Sequence, residues 1–231
     1  MSKNCVVIVA GGKGKRMCQP ISKQFLLLDD KPVLYHTIKA FDDCENIDEV
    51  VVVLSSDDIE YFNINIKNIF KFKKLKAIVE GGLERQDSVY NGLKVCTDCD
   101  IVLIHDGARP FVEDEIIIKG IDTAKEYGAS ACGVIPKDTI KVKGSSGFSE
   151  STLERNSLIA VQTPQCFKYD LILKAHEYIN KNNISVTDDT MASELIGNKV
   201  YLFEGKYTNI KVTTPEDLIL ARYLVKNYTE R

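Results

Sequence analysis

Short apolar runs alternate with amphipathic segments along most of this chain, and that alternation predicts its architecture before any chemistry is considered. Cys5–Ala10 is a Val- and Ile-rich run ended by Gly11-Gly12. A run this short, apolar throughout and bounded by glycine reads as a strand buried on both faces of a parallel sheet. Glu49–Ser55, Lys76–Glu80, Asp100–His105 and Ala129–Ile135 read as further strands, with Lys199–Phe203 and Asn209–Val212 as late ones. Helical segments fall between them. Pro32 stands where Val33–Phe41 begins, which suits a first helical turn. Asp57 and Asp58 offer N-cap chemistry for a helix reaching about Phe70. Arg85–Leu93 and Glu113–Tyr127 are predicted helices, and Gln162–Phe167 leads into another. Thr187-Asp188-Asp189 caps a helix through Ile196, and Thr214-Pro215 opens the last one. The expectation is an α/β fold with a mostly parallel sheet flanked by helices. In such sheets ligands sit in a crevice at the carboxyl ends of the strands.

One stretch breaks the pattern. From about residue 137 to 162 the chain is polar, with Gly144-Ser145-Ser146-Gly147 as a central turn between extended arms. A connection of that length is uncommon unless it serves a function or an interaction. With no repeat or low-complexity tract, the simplest division is one domain over residues 1–231 carrying a projecting β-arm at about 137–162.

Composition narrows the partners. The 231 residues carry a formal charge of −3 and are 44% hydrophobic, enough for a sizeable core and no argument for nucleic acid or membrane affinity. No apolar stretch approaches the ~20 residues of a transmembrane helix. The N-terminus runs straight into the first strand without a signal-peptide pattern, so a cytoplasmic location is expected. Seven scattered cysteines do not resemble a secreted disulfide framework, and Cys96-x-x-Cys99 lacks a second pair at zinc-finger spacing. Reduced structural thiols are the expectation.

The candidate chemistry gathers after the first strand. Gly11, Gly12 and Gly14 are interleaved with Lys13, Lys15 and Arg16, and Lys23 follows seven residues later. Glycines permit positive φ and close approach of a ligand to the backbone. Bare amides with fixed cations suit a polyphosphate, although a Gly-rich turn with solvated lysines has the same composition. It is not a P-loop, because Arg16 replaces the required Ser or Thr, and not a dinucleotide fingerprint, because Met17 stands at the third glycine. A second strand–glycine–helix unit follows at Gly81-Gly82. At the end of the fourth strand, Asp106 suits a cation or ribose hydroxyl and Arg109 a phosphate, with an internal ion pair as the alternative. His105 reads as structural, and His36 and His176 carry no functional assignment. Lys211 is the remaining cation placed in the site. Asp188 and Asp189 are explained at least as well by helix capping as by catalysis.

Taken in order, these segments resemble a known family. Ala10-Gly11-Gly12-x-Gly14-x-Arg16-Met17 with Lys23-Gln24-Phe25 is similar to the signature loop of sugar-phosphate and polyol-phosphate nucleotidyltransferases. Gly81-Gly82-x-x-Arg85-Gln86-Asp87-Ser88-Val89, His105-Asp106-x-Ala108-Arg109-Pro110, Asp138-Thr139-Ile140-Lys141, Gln162-Thr163-Pro164-Gln165, Thr187-Asp188-Asp189 and Asn209-Ile210-Lys211 complete a set spanning nearly the whole chain. Together they resemble the 2-C-methyl-D-erythritol 4-phosphate cytidylyltransferases of the non-mevalonate isoprenoid pathway. Three positions depart from the family pattern: Ser22 for the usual Pro, Gly107 for the commonest Ala, and Ala10-Gly11-Gly12 for Ala-Ala-Gly.

The resemblance implies a Rossmann-like nucleotidyltransferase fold and a homodimer whose arm reaches over the partner's site. It implies CTP and 2-C-methyl-D-erythritol 4-phosphate as substrates and Mg²⁺ or another divalent cation as cofactor, with Asp106 near the metal and ribose. Arg16, Lys23 and Lys211 would stabilise the triphosphate and transition state. Ala10, Gly11, Gly12, Gly14, Gly82 and Ser88 would surround the nucleotide. Arg109, Thr139, Arg155, Thr163 and Thr187 would bind the acceptor. A ribitol-5-phosphate cytidylyltransferase looks alike across most of these motifs, and a non-catalytic nucleotide-binding subunit is a third reading.

Overall fold

The computed structural model describes residues 2–12 and 22–228. Its centre is a seven-stranded sheet. In chain order its strands are β1 (Asn4–Val9), β4 (Glu49–Leu54), β5 (Leu75–Glu80), β6 (Ile101–Asp106), β7 (Ala129–Val134), β10 (Ala160–Lys168) and β11 (Tyr201–Glu204). Their spatial order is β11-β7-β10-β6-β1-β4-β5. All neighbours pair in parallel except β10, which runs antiparallel to both β6 and β7. The carboxyl ends of β1, β4, β5 and β6 therefore open on one edge, and β10 brings its amino end to the same edge.

The apolar runs are explained by burial on both faces. Alternate side chains of a strand point to opposite faces, and the sequence supplies apolar residues for each. Val6, Ile8, Val50, Val52 and Leu103 pack with helices α1 (Val33–Asp43) and α4 (Asp114–Tyr127). Cys5, Val7, Val51, Val53, Val102 and Ile104 pack on the other face with α3 (Arg85–Leu93) and α5 (Tyr169–Lys181). Full burial of each such Val, Leu or Ile is worth about 1.5–3 kcal/mol. A smaller cluster docks α7 (Pro215–Tyr228) through Ala221 and Val225 onto Leu28, beside the short hairpin of β2 (Leu27–Leu28) and β3 (Lys31–Pro32).

Several expectations are corrected. The helix expected to run to Phe70 is α2 (Ser56–Phe62) followed by a π-helical turn at Asn63–Lys67. Its N-cap position is Ser55, and Asp58 serves instead as an acceptor for the Ser55, Ser22 and Gln24 side chains. The segment at Gln162–Phe167 does lead into a helix, α5, but is itself the core of strand β10, disguised in sequence by Gln162, Pro164 and Gln165. Its pairing with β7 shifts between Val161 and Gln165, which accommodates a proline that has no N–H to give the ladder. Asn209–Val212 is not a strand. Its backbone is tied to a turn, Val212 N–H donating to Ala108 O at 2.8 Å, and the N-terminal cap of α7 follows at once through Asp217.

The polar insertion forms the expected hairpin, β8 (Lys141–Lys143) against β9 (Ser149–Thr152), both strands exposed. The helix expected at 187–196 is α6 (Asp189–Leu195), with Asp188 accepting from Met191 N–H at 2.9 Å as its N-cap.

Close packing of α3 on the sheet rests on Gly92. A Cβ there would collide with the Val7 side chain and stand 3.0 Å from Val53 Cγ2. Helix propensity alone favours Gly→Ala by about 1 kcal/mol, but overpacking a rigid core costs about 1–3 kcal/mol. Packing should decide the sign. We expect Gly92→Ala to lower unfolding free energy in urea titrations; equal or higher stability would show that α3 stands off more freely than described.

Candidate active site

Several chain segments converge at the open edge of the sheet and enclose a cleft of about 800 Å³. The turn after β1 contributes Ala10, Gly11 and Gly12, and the turn after β5 contributes Gly81, Gly82 and, from the start of α3, Arg85 and Ser88. Asp106 closes the end of β6, and Lys23 and Lys211 enter from the short 3₁₀ turn at Lys23–Phe25 and the loop before α7. Arg16 and Gly14, expected here from sequence, lie outside the described residues.

The glycines act differently from expectation. Neither Gly11 nor Gly12 has positive φ, and a Cβ at Gly12 would meet no atom of the described residues within 4 Å. At Gly12 the lack of a side chain leaves backbone open to the cleft, not a special conformation. Gly81 is constrained by its neighbours, since a Cβ would lie 2.7 Å from Ser88 Oγ. Ser88 stitches this turn together, its hydroxyl accepting from Gly82 N–H and donating to Glu84 O, both at 3.1 Å.

Asp106 is the electrostatic centre. Lys211 Nζ lies 2.9 Å from its Oδ2, Arg109 Nε 3.3 Å from the same oxygen, and Arg85 Nε 3.5 Å from Oδ1. Burial alone would raise the carboxyl pKa, but Arg85, Lys211 and Arg109 hold it well below the usual carboxylate range. It is therefore an anion at neutral pH, set in an excess of positive charge. Arg109 also donates to Asn209 O at 2.7 Å, so its guanidinium makes the intra-turn ion pair and fastens the Lys211 loop. Lys23 Nζ donates to Val212 O at 3.2 Å in that same loop.

Behind Asp106 runs a chain of hydrogen bonds whose directions follow from chemistry. Asp106 N–H donates to Thr163 Oγ1 at 3.0 Å, and His105 Nε2 faces Arg109 O at 3.0 Å. A carbonyl can only accept, so Nε2 carries the proton. Nδ1 then accepts from the Thr163 hydroxyl at 3.1 Å. His105 is neutral and fully buried, as its structural reading required. Burial, against the opposing bond to Arg109 O, holds its pKa down at about 4. Thr163 is buried too, its hydroxyl engaged on both sides and its carbonyl accepting from Asn209 Nδ2 at 2.8 Å.

The other acceptor residues lie elsewhere in the chain. Thr139 and Arg155 are exposed at the base of the hairpin, Arg155 donating to Lys137 O at 2.9 Å, and neither lines the cleft. Thr187 is exposed just before α6. Three residues that sequence reasoning did not assign to the site belong to its frame: Arg85, His176 and Asp189, the last weighed there between helix capping and catalysis. Arg85 lay within a quoted motif, but nothing local showed that β6 and α6 would each bring it a carboxylate. Among the described residues no cluster of three or more His, Cys, Asp or Glu is arranged to hold a metal.

A cleft at the carboxyl ends of parallel strands, with exposed glycine backbone and cations around one ionised aspartate, defines a nucleotide-handling enzyme of the Rossmann-like nucleotidyltransferase class. Comparison with known proteins gives the class a family. The family model IspD, 2-C-methyl-D-erythritol 4-phosphate cytidylyltransferase, matches residues 4–227. The protein of that name from Clostridium perfringens (strain SM101 / Type A) is 60% identical over 226 residues, 98% of this chain and 100% of its own. That from Clostridium botulinum (strain ATCC 19397 / Type A) is 56% identical over 230 residues, covering 99% and 100%. Among solved structures, the 4-diphosphocytidyl-2C-methyl-D-erythritol synthase from Anaerococcus prevotii superposes with a TM-score of 0.86 at 29% identity, covering 98% of this chain and 97% of that one. The cytidylyltransferase from Thermus thermophilus gives 0.78 at 30%, covering 98% and 100%. The chain belongs to the 2-C-methyl-D-erythritol 4-phosphate cytidylyltransferase family.

The pKa of His105 makes stability depend on pH with a defined sign. Below its ordinary value of 6.5 the unfolded imidazole takes up a proton that the folded one refuses until about pH 4. Stability should therefore fall by about 3 kcal/mol as pH drops through that window, then level off for this group. His36, also lowered by burial, adds in the same direction. Asp106 and Asp189, both depressed, lose their contribution only at lower pH. Urea midpoints measured from pH 7 to 4.5 should slope less steeply in His105→Gln than in the wild type. Parallel slopes would mean that His105 is not buried neutral.

Proposed function

We infer that this chain transfers CMP from CTP to 2-C-methyl-D-erythritol 4-phosphate, releasing pyrophosphate and forming 4-diphosphocytidyl-2-C-methyl-D-erythritol. The observation that carries the reading is full-length membership of the family together with the cation-ringed Asp106 that such chemistry needs. The nucleophile is a phosphate oxygen of the acceptor, already mostly deprotonated at neutral pH because the second phosphate pKa is about 6. No protein base is required. His105, the histidine nearest the cleft, is neutral, buried and bonded at both nitrogens, so it is not a candidate for one.

The protein's work is to bring two polyanions together and to stabilise charge on the α-phosphoryl group and departing pyrophosphate. Lys23 and Lys211, both lining the cleft, are assigned to that charge, and Arg16 is assigned with them from its place in the sequence motif. Ala10, Gly11, Gly12, Gly14, Gly82 and Ser88 receive the nucleotide, chiefly through backbone groups. Arg109 and Thr163 support the acceptor side by fixing the Asp106 turn and the Lys211 loop. The ionised oxygens of Asp106 suit a hard cation such as Mg²⁺. With no other acidic cluster among the described residues to complete a protein cage, substrate phosphates would supply the remaining ligands. When bound, such an ion neutralises phosphate charge; Asp106 is the residue that would hold it.

The hairpin arm is assigned to a second copy of the chain. Thr139 and Arg155 are exposed and do not line their own cleft, which suits acceptor binding in the neighbouring subunit of a homodimer. No described helix is long and apolar enough to cross a membrane, and a cytoplasmic enzyme is the corresponding location.

Pyrophosphate release with CTP and Mg²⁺, compared between methylerythritol phosphate and ribitol 5-phosphate, tests the assignment. Turnover confined to, or strongly favouring, the first acceptor is expected. Preference for ribitol 5-phosphate would keep the phosphate chemistry but overturn the acceptor. CTP binding without turnover on either would favour a non-catalytic nucleotide-binding subunit.

A further inference from the structure

Asp189 is the charge least expected where it stands. It lies in the first turn of α6 and is 0% exposed, and a buried carboxylate is tolerated only with partners. It has two. His176 Nε2, from α5, lies 3.1 Å from Oδ1, and Arg85 Nη1, from the start of α3, lies 2.8 Å from Oδ2. Burial would raise the carboxyl pKa, but Arg85 and His176 hold it down. The contact with Arg85 is close but not in line, for Oδ2 makes no directed hydrogen bond among the described residues.

Arg85 therefore spans two carboxylates, reaching Asp189 with Nη1 and Asp106 with Nε. The second contact matters because of how Asp106 is held. Lys211 and Arg109 both address Oδ2, and among the described residues Arg85 alone addresses Oδ1. Without Arg85, no described ion pair or hydrogen bond holds Oδ1, and the carboxylate is fixed by charge only through the oxygen that faces Lys211. The same bridge ties Asp106, on the cleft lining, to α6 behind it. Asp106 ends the strand beside the nucleotide loops, whereas Asp189 follows Thr187 in the turn assigned to the acceptor. Gln165 of β10 fixes that turn by accepting from Asp189 N–H at 3.0 Å and Thr190 N–H at 3.2 Å.

We propose that Arg85, anchored by buried Asp189 and His176, is a positioning residue that sets the orientation of the Asp106 carboxylate and couples the start of α6, next to Thr187, to the nucleotide side of the cleft. The proposal rests on the transfer reaction inferred above. A merely structural ion pair is a poor alternative, because buried pairs are commonly replaceable by apolar side chains without loss of stability. Arg85 instead keeps its side chain 30% exposed on the cleft lining, where a structural pair has no reason to be.

The test uses the full-length enzyme in the CMP-transfer assay, with thermal unfolding measured in parallel. Wild-type turnover comes first, since its absence would count against the reaction and not against this network. Asp189→Asn keeps the size of the side chain and removes the anchoring charge. It should lower kcat by about tenfold to a hundredfold, the scale of a misplaced catalytic geometry, with KM for CTP changed less than kcat. Arg85→Ala should lower both kcat and Tm, because it leaves the buried Asp189 carboxylate with His176 as its one described charge partner. The double variant Arg85→Ala/Asp189→Asn removes both charges and should regain most of the lost Tm while kcat stays low. Recovery of kcat together with Tm would overturn the proposal, as would an Asp189→Asn enzyme with wild-type kcat.

Discussion

Everything at the cleft depends on keeping one buried carboxylate ionised at a strand end. Asp106 meets that constraint through three cations from three separate parts of the chain: Arg85 from α3, Arg109 from its own turn, and Lys211 from the loop before α7. Two of these cations also do a mechanical task. Arg109 fastens the Lys211 loop through Asn209 O, and Arg85 ties α3 to α6 through Asp189. An excess of positive charge in a partly desolvated cleft is costly to assemble, and a polyphosphate is the natural counterion for it.

The sheet makes that arrangement possible. β1, β4, β5 and β6 are parallel, so their glycine turns and Asp106 share one edge without special design. The antiparallel β10 adds what parallel strands alone would not, by delivering Thr163 from the opposite chain direction to the backbone of Asp106. The Thr163–His105–Arg109 hydrogen-bond chain then holds the turn from behind. Core packing, strand order and electrostatics thus point to the same place.

Much of this was legible in the sequence because the apolar strands announce themselves. β1, β4 and β6 are buried on both faces; β1 and β4 give way within two residues to Gly11-Gly12 and Ser55-Ser56, and β6 ends in Asp106. The family's motifs, read in order, gave the chemistry and the cleft-lining residues Lys23, Asp106 and Lys211. Less legible were features set by distant partners. β10 was hidden because Gln162, Pro164 and Gln165 break the apolar pattern, and their use is explained only by the irregular pairing and by Asn209, Asp188 and Asp189. The roles of Arg85 and His176 depend on Asp189, about a hundred residues from one and in a different helix from the other. Ser22 shows the reverse case: a departure from the family's proline is offset by its hydrogen bond to Asp58 at 2.9 Å.

The most direct test of this account removes the charge on which the cations converge. Asp106→Asn preserves size and removes the charge, turning one acceptor oxygen into a donor NH2, and near-UV circular dichroism can verify that the variant is folded. At saturating CTP, Mg²⁺ and methylerythritol phosphate, the account predicts a fall in kcat of at least about a hundredfold, the scale of losing a preorganised electrostatic group. A folded Asp106→Asn enzyme turning over at a near-normal rate would contradict it.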